Sequence, residues 1–569
     1  MDKAKNERSK IIIYQVFPRW FGNLNASLVK NGSLAENGVG KFSAFTNIAL
    51  AKIKELGTTH IWYTGVIEHA TKTDYTAYQI RKDHAAVVKG KAGSPYAIKD
   101  YYDVDPDLAD VVTDRMKEFE GLVKRTHEAG MKVIIDFVPN HVARQYHSDA
   151  RMSYVEDLGQ RDNTSKAFDV HNNFYYIPGQ PLSLPFGAQQ EDFEYSEFPA
   201  KVTGNDFFGT CPGKNDWYET VKLNYGRDYL NGCTGHFDPI PNTWTKMLDI
   251  LLFWAGKGVD GFRCDMAEMV PVEFWNWVIP KVKQVRDVTF IAEIYNPAAY
   301  REYIFRGHFD YLYDKVGLYD TVRSVMCHQQ PASAISSCWQ SLEGIQQNML
   351  NFLENHDEQR IASFYFAGDP RPGIPGMIVS SMMNTNPVML YCGQELGEPG
   401  MDDEGFSGRD GRTTIFDYWS VKSLRNWINE GAFDGGKLTP DQRLLREMYV
   451  KLMNIVRTEP VISHGEFYDL MYANVGNPYF NAARQFAFMR KYKNDVLLVV
   501  VNFDKADQTV RVKIPSEAFK VLGFDENKAA WMTDLLTGET AVSTLTEVWP
   551  YQVVVPAYSG KILKFTYKK

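Results

Sequence analysis

The chain has 569 residues, of which 44% are apolar and 23% charged, and its net charge is −8. That balance excludes wholesale disorder, and the mildly acidic total argues against nucleic acid or an anionic membrane as a partner. The length exceeds one ordinary domain, although a barrel of about 250 residues or more counts as a single unit.

The start, "MDKAKNERSK", is charged and runs into "IIIYQVF", an apolar stretch too short for a signal-peptide core or a membrane span. As written, the chain reads as cytoplasmic; a removed leader would make it periplasmic or secreted. From here, short β-branched runs alternate with longer helical patterns. "KIIIYQVF" (10–17) is followed by "THIWYTGV" (59–66) and "MKVIIDFV" (131–138). The third run follows the amphipathic "DRMKEFEGLVKRTHEAG", whose Gly130 suits a helix C-cap. Later come "VDGFRCD", "DVTFIAEIY", "FDYLYDKV", "NMLNFLENHD" and "NPVMLYCGQEL". Continuous apolar strands separated by helices indicate a parallel sheet covered by helices. Eight such units predict an α/β fold of the (β/α)8 TIM-barrel type.

The spacing is broken once, between "DFVPNH" and "VDGFRCD". Most of that stretch is rich in Asn, Gly, Pro and aromatics, and a loop so long is functional or a small domain of its own. After about 460 the runs shorten, turn signals such as 493–495 and 537–538 appear, and an antiparallel β-sandwich is expected. The predicted division is therefore a barrel over 1–141 and 239–459, an inserted domain over 142–238, and an all-β domain over 460–569. Aromatics make up 14% of the chain. Most belong to a core, but the surplus suits sugar rings, which stack on flat apolar faces. The six cysteines contain no C-x-x-C pair, which argues against a zinc or thioredoxin-like site.

In a barrel of this type the C-terminal strand ends build the site. Strand three ends in Asp136, Asn140 and His141, strand four in Arg263 and Asp265, strand five in Glu293, and strand seven in His356 and Asp357. One strand-end carboxylate is readily a structural cap; four polar clusters at the same end are better explained by one shared site. Asp265 and Glu293 stand 28 residues apart, about one βα unit. Their carboxylates then project from neighbouring strands about 5 Å apart, which suits the nucleophile and acid/base pair of a retaining glycosidase. Arg263 lies on the same side of its strand as Asp265 and would keep it ionised. Glu293, with no such partner in the local sequence, is expected to hold the proton.

"DFVPNH", "GFRCD", "AEIYN" and "ENHDEQR" resemble, in order and spacing, the four signature segments of the α-amylase family of glycoside hydrolases. The insertion resembles that family's domain B and the β tail its domain C, so the resemblance covers nearly the whole chain. It implies Asp265 as nucleophile, Glu293 as acid/base, and Asp357 as the group that grips sugar hydroxyls in the distorted transition state. His141 and His356 would bind hydroxyls of the same sugar, and Arg263 would orient Asp265. "SPYAIKDYYDVDP" resembles the segment carrying a tyrosine that stacks on the cleaved sugar, which maps to Tyr96, with Asp100 as support. The implied substrate is an α-glucan or maltooligosaccharide, cut chiefly at α-1,4 bonds. Transglycosylation, action on sucrose, trehalose or α-1,6 bonds, and an inactive sugar-binding barrel are the alternatives.

No cofactor is implied for the chemistry. A structural calcium stays open, with Asn140 as candidate ligand. Where calcium-dependent α-amylases often carry Lys-His after the nucleophile, this chain has Glu268 and Met269, and "VKLNYG" (221–226) matches the family's domain B segment only loosely. The oligomeric state is not legible.

Overall fold

The computed structural model describes residues 9–186 and 195–567. Eight parallel strands close into a barrel: β1 (Ile12–Val16), β2 (His60–Tyr63), β3 (Lys132–Phe137), β4 (Gly261–Cys264), β5 (Thr289–Ala292), β6 (Tyr311–Tyr313), β7 (Met349–Phe352) and β8 (Val388–Tyr391). Each strand pairs with its sequence neighbours, and β1 closes on β8. All eight apolar runs of the sequence are thus barrel strands.

Alternation along each strand sorts the side chains. Ile12, Tyr14 and Val16 of β1 join the large core between barrel and helices, while Ile13 meets Trp62, Ile134, Ile291, Leu350, Phe352 and Met389 in the barrel's interior. Continuing that inward period toward the C-terminal ends places Gln15, Asp136 and Arg263 above the apolar layer. All three are at most 4% exposed. The barrel is therefore a packed floor carrying a polar layer on top.

Between β3 and the helix Asn242–Gly256 the chain forms small paired ladders rather than a large sheet. One of them matters for the site: His141–Ala143 pairs antiparallel with Thr220–Lys222, so that His141 faces Lys222. This ladder stitches the insertion to the strand end that carries His141.

Beyond the barrel, six antiparallel strands form one sheet in the order Glu466–Asp469, Gln485–Tyr492, Asp495–Asn502, Ser559–Thr566, Ala529–Asp534, Thr540–Thr544. Gln508–Val512 and Tyr551–Val555 pair as a second layer, with the Tyr551 ring 5.6 Å from Phe565 of the first. The expected sandwich is therefore present. It seats directly on the barrel helix Gly373–Met382: a Cβ on Gly560 would meet Ile378 Cδ1 at 2.7 Å, a distance that real Cβ contacts do not reach. Among the described residues no helix is long and apolar enough to cross a membrane.

Candidate active site

Arg263 lies at the centre of the polar layer. Its guanidinium is buried and surrounded by the rings of Trp62, Tyr96 and Tyr313 at 5.3, 5.5 and 5.4 Å. One terminal nitrogen reaches Asp265 Oδ1 at 2.6 Å, the other stands 2.8 Å from Glu293 Oε1, and Nε donates to Tyr313 Oη at 3.1 Å. Asp136 Oδ1 lies 3.7 Å away on the third side. A planar fork that is always charged can serve several carboxylates at once, which a lysine cannot.

This corrects the expectation for Glu293. It has a cationic partner after all, and it is the same one. The β4–β5 register sets Arg263 against Ile291 and Cys264 against Ala292, so Asp265 and Glu293 follow side by side and one guanidinium spans both. Burial pushes both carboxyls above their ordinary values, and Arg263 opposes that in each. For Glu293 the nearby charge of Asp265 adds to the upward push. Asp136 is pushed to about 6 by burial, against Arg263 and donations from Trp62 Nε1, Gly65 N and Tyr96 Oη.

Immediately after Asp265 the backbone of Met266 turns into the left-handed region at φ 42°. A non-glycine residue there costs about 1–2 kcal/mol. The turn aims the Met266 N–H at Glu293 Oε2, 2.8 Å away. Tyr295 Oη donates to the other oxygen, Oε1, at 2.5 Å.

Burial holds both histidines neutral; His141 lines the cavity, whereas His356 lies behind Tyr96 and Asp357, which do. Gln15 Nε2 donates to His356 Nδ1 at 2.8 Å, which leaves the proton on Nε2, 2.6 Å from Tyr96 Oη and 3.1 Å from Asp357 Oδ2. Asn140 Nδ2 likewise reaches His141 Nδ1 at 3.2 Å and turns Nε2 toward Asp265 Oδ2, 4.0 Å away. Burial holds His141 down to about 3 and His356 well below its ordinary value. Asp357 is the most open of the three acids, with 30% of its side chain exposed. Its carboxyl is raised by desolvation and by the charge of Glu293.

Asp265, Glu293, Asp357, Tyr96 and His141 line one cavity of about 220 Å³, walled also by Trp217, Tyr295, Phe406 and Phe416. That is many times the roughly 10–15 Å³ that a single water needs, which leaves room for a sugar ring. A larger depression of about 1310 Å³ lies at the opposite face of the barrel, by Lys10, Asp310 and Tyr311, and carries none of the clustered acids. Asp100 stands outside the cavity, its carboxylate accepting from Ser148 Oγ and Ala150 N. It therefore anchors the start of the insertion rather than Tyr96.

Asn140 does not fit a calcium site. Its Oδ1, the atom a calcium ion would need, accepts from Lys222 Nζ at 2.8 Å, and Nδ2 donates to Gly204 O. The Lys222 ammonium is also 2.5 Å from Asp206 Oδ1 and 5.3 Å from the Tyr229 ring. Calcium asks for six to eight oxygens. Here a lysine already supplies the positive charge, and among the described residues no group of His, Cys, Asp or Glu is arranged to hold a metal.

Sequence reasoning did not single out Gln15 or Tyr295. Gln15 was visible as the one amide inside "IIIYQVF", and Tyr295 as the aromatic two residues past Glu293.

A (β/α)8 barrel with paired carboxylates, a third acid and neutral histidines around a sugar-sized cavity defines a glycosidase-type site. The family profile "Alpha amylase, catalytic domain" matches residues 15–422, and the chain belongs to the α-amylase family of glycoside hydrolases. Neopullulanase 2 of Thermoactinomyces vulgaris is 22% identical over 545 residues, covering 93% of this chain and 73% of that protein. Among solved structures, the α-amylase of Geobacillus thermoleovorans in complex with acarbose superposes with a TM-score of 0.63 at 19% identity, all of both chains being covered. A noncanonic maltogenic α-amylase from Thermotoga neapolitana gives 0.62 at 18% identity, covering 98% of this chain and 99% of the other.

Proposed function

We propose that the chain is a retaining hydrolase of α-glucosidic bonds, chiefly α-1,4, in starch-like glucans or maltooligosaccharides. The single observation that carries this reading is Arg263 between Asp265 and Glu293. Carboxylates held at the two ends of one guanidinium suit the separation of about 5–5.5 Å used by retaining glycosidases. Asp265, ion-paired with Arg263 and facing the cavity, attacks the anomeric carbon and forms the glycosyl-enzyme. Glu293 protonates the leaving oxygen and then takes a proton from water. Tyr96, stacked on His356 at 5.2 Å, supplies the platform for the ring, and the Nε2 hydrogens of His141 and His356 bind its hydroxyls. Asp357 binds hydroxyls as the ring flattens, when the developing positive charge strengthens its grip. The family and the relatives named neopullulanase and maltogenic α-amylase support the substrate class.

Maltoheptaose is the testing substrate. Cleavage with the α-anomer as first product is expected, and loss of about 10⁴-fold or more in Asp265→Asn and Glu293→Gln. First products of β configuration, or full activity in Asp265→Asn, would refute the assignment.

A further inference from the structure

Tyr295 is not among the three acids and two histidines assigned above, yet its hydroxyl makes the closest contact to Glu293, donating to Oε1 at 2.5 Å. The remaining contacts of that carboxylate come from rigid parts: the Met266 N–H at 2.8 Å on Oε2, and Arg263 at 2.8 Å from Oε1. Arg263 is fully buried, whereas Tyr295 is half-buried and forms part of the cavity wall. The tyrosine is held from behind by Glu268, whose two oxygens accept the backbone N–H groups of Tyr295 at 3.2 Å and Asn296 at 3.1 Å. Glu268 sits in the short turn Ala267–Met269 that follows the nucleophile. The loop after β4 thus clamps the loop after β5, and the clamp ends on the acid/base. In place of a basic pair, "AEM" provides an acidic anchor for a tyrosine.

From this geometry we infer that Tyr295 is a positioning residue for Glu293, setting both the direction of Oε1 and how tightly Glu293 holds its proton. The inference rests on the reading of Glu293 as acid/base. A hydroxyl donated to a carboxylate stabilises the charged form, so the bond eases proton release to the leaving oxygen. When Glu293 carries the proton, the same hydroxyl can turn and accept, because burial raises the phenol well above its ordinary value and keeps it an O–H. No proton is gained or lost in that exchange; the bond only reverses its direction. The other groups facing Glu293 are Arg263 from β4, Asp265 just beyond its end, His141 from the β3 loop, Tyr313 from β6 and Asp357 from the loop after β7. All of them persist when the Tyr295 hydroxyl is removed, so a change in titration reports that hydroxyl.

The test is kcat/KM against pH on maltoheptaose for the full chain and Tyr295→Phe, with Glu293→Gln measured alongside. Removing a donor from a charged acceptor is expected to weaken the acid about tenfold, moving the alkaline limb up by about one pH unit with the acid limb unmoved. An alkaline limb that stays in place while activity merely falls would overturn the role of Tyr295. Retained cleavage by Glu293→Gln would instead overturn the assignment of Glu293 on which it rests. Should Tyr295→Phe fail to fold, Glu268→Ala, which removes both backbone anchors, is expected to move the alkaline limb in the same direction by less, and an unmoved limb there overturns the role equally.

Discussion

Replacing Lys222 by Met keeps an apolar stem of similar length and removes only the ammonium. Asn140, 1% exposed, then loses the donor to its Oδ1. A buried acceptor left without a partner costs about 1–3 kcal/mol. Asp206 adds little, because 36% of its side chain reaches water and an exposed partner rehydrates. Burial also lowers the Lys222 amine, so the ammonium was held against desolvation, and its removal returns part of the loss. The net expectation is a destabilisation of about 1–2 kcal/mol, read as a lower thermal midpoint. Asn140 also fixes Nδ1 of His141, so kcat/KM on maltoheptaose should fall a few-fold through KM. A Lys222→Met variant as stable as the parent would refute this reasoning.

Arg263→Lys should cost about 100-fold or more in kcat/KM, since a single ammonium cannot face Asp265 and Glu293 together; loss limited to a few-fold would show that the bridge is dispensable. Gln15→Leu should lower kcat/KM about tenfold with folding intact by circular dichroism, because His356 loses the donor that fixes its tautomer; unchanged kinetics would exclude that role. The pH profile of kcat/KM should be a bell set by two carboxyls. Asp265 must be ionised, and its raised carboxyl places the acid limb above an ordinary aspartate. Glu293 must be protonated, and its own upward push carries the alkaline limb above an ordinary glutamate. With both histidines held neutral, neither limb should move in His356→Asn; a limb that shifts would assign it to the imidazole.

The eight barrel strands were legible because each is a short, largely apolar run set between helical patterns, and the catalytic candidates were legible because they stand at or just beyond the ends of those strands. Arg263 and Asp265 could be paired from the sequence, being two residues apart on one strand. The second grip of Arg263, on Glu293, could not, since it depends on register across β4 and β5. Asn140 was open to misreading for the same reason. Its partner Lys222 lies 82 residues away, across an insertion whose short ladders leave no periodic signal. Tyr295 was in view inside "AEIYN", but nothing local says that its side chain folds back onto Glu293.

The acids around Arg263 also decide what else can settle in the cavity. Asp136, Asp265, Glu293 and Asp357 put four carboxyls near one buried guanidinium. Before any sugar arrives, such a site has an unfilled demand for positive charge. Neutral glucans meet it only fleetingly, as charge builds on the ring at the moment of bond breaking. A small polyhydroxylated amine, protonated at neutral pH, would meet it for as long as it stayed bound, and an amine buffer is therefore expected to compete for this pocket.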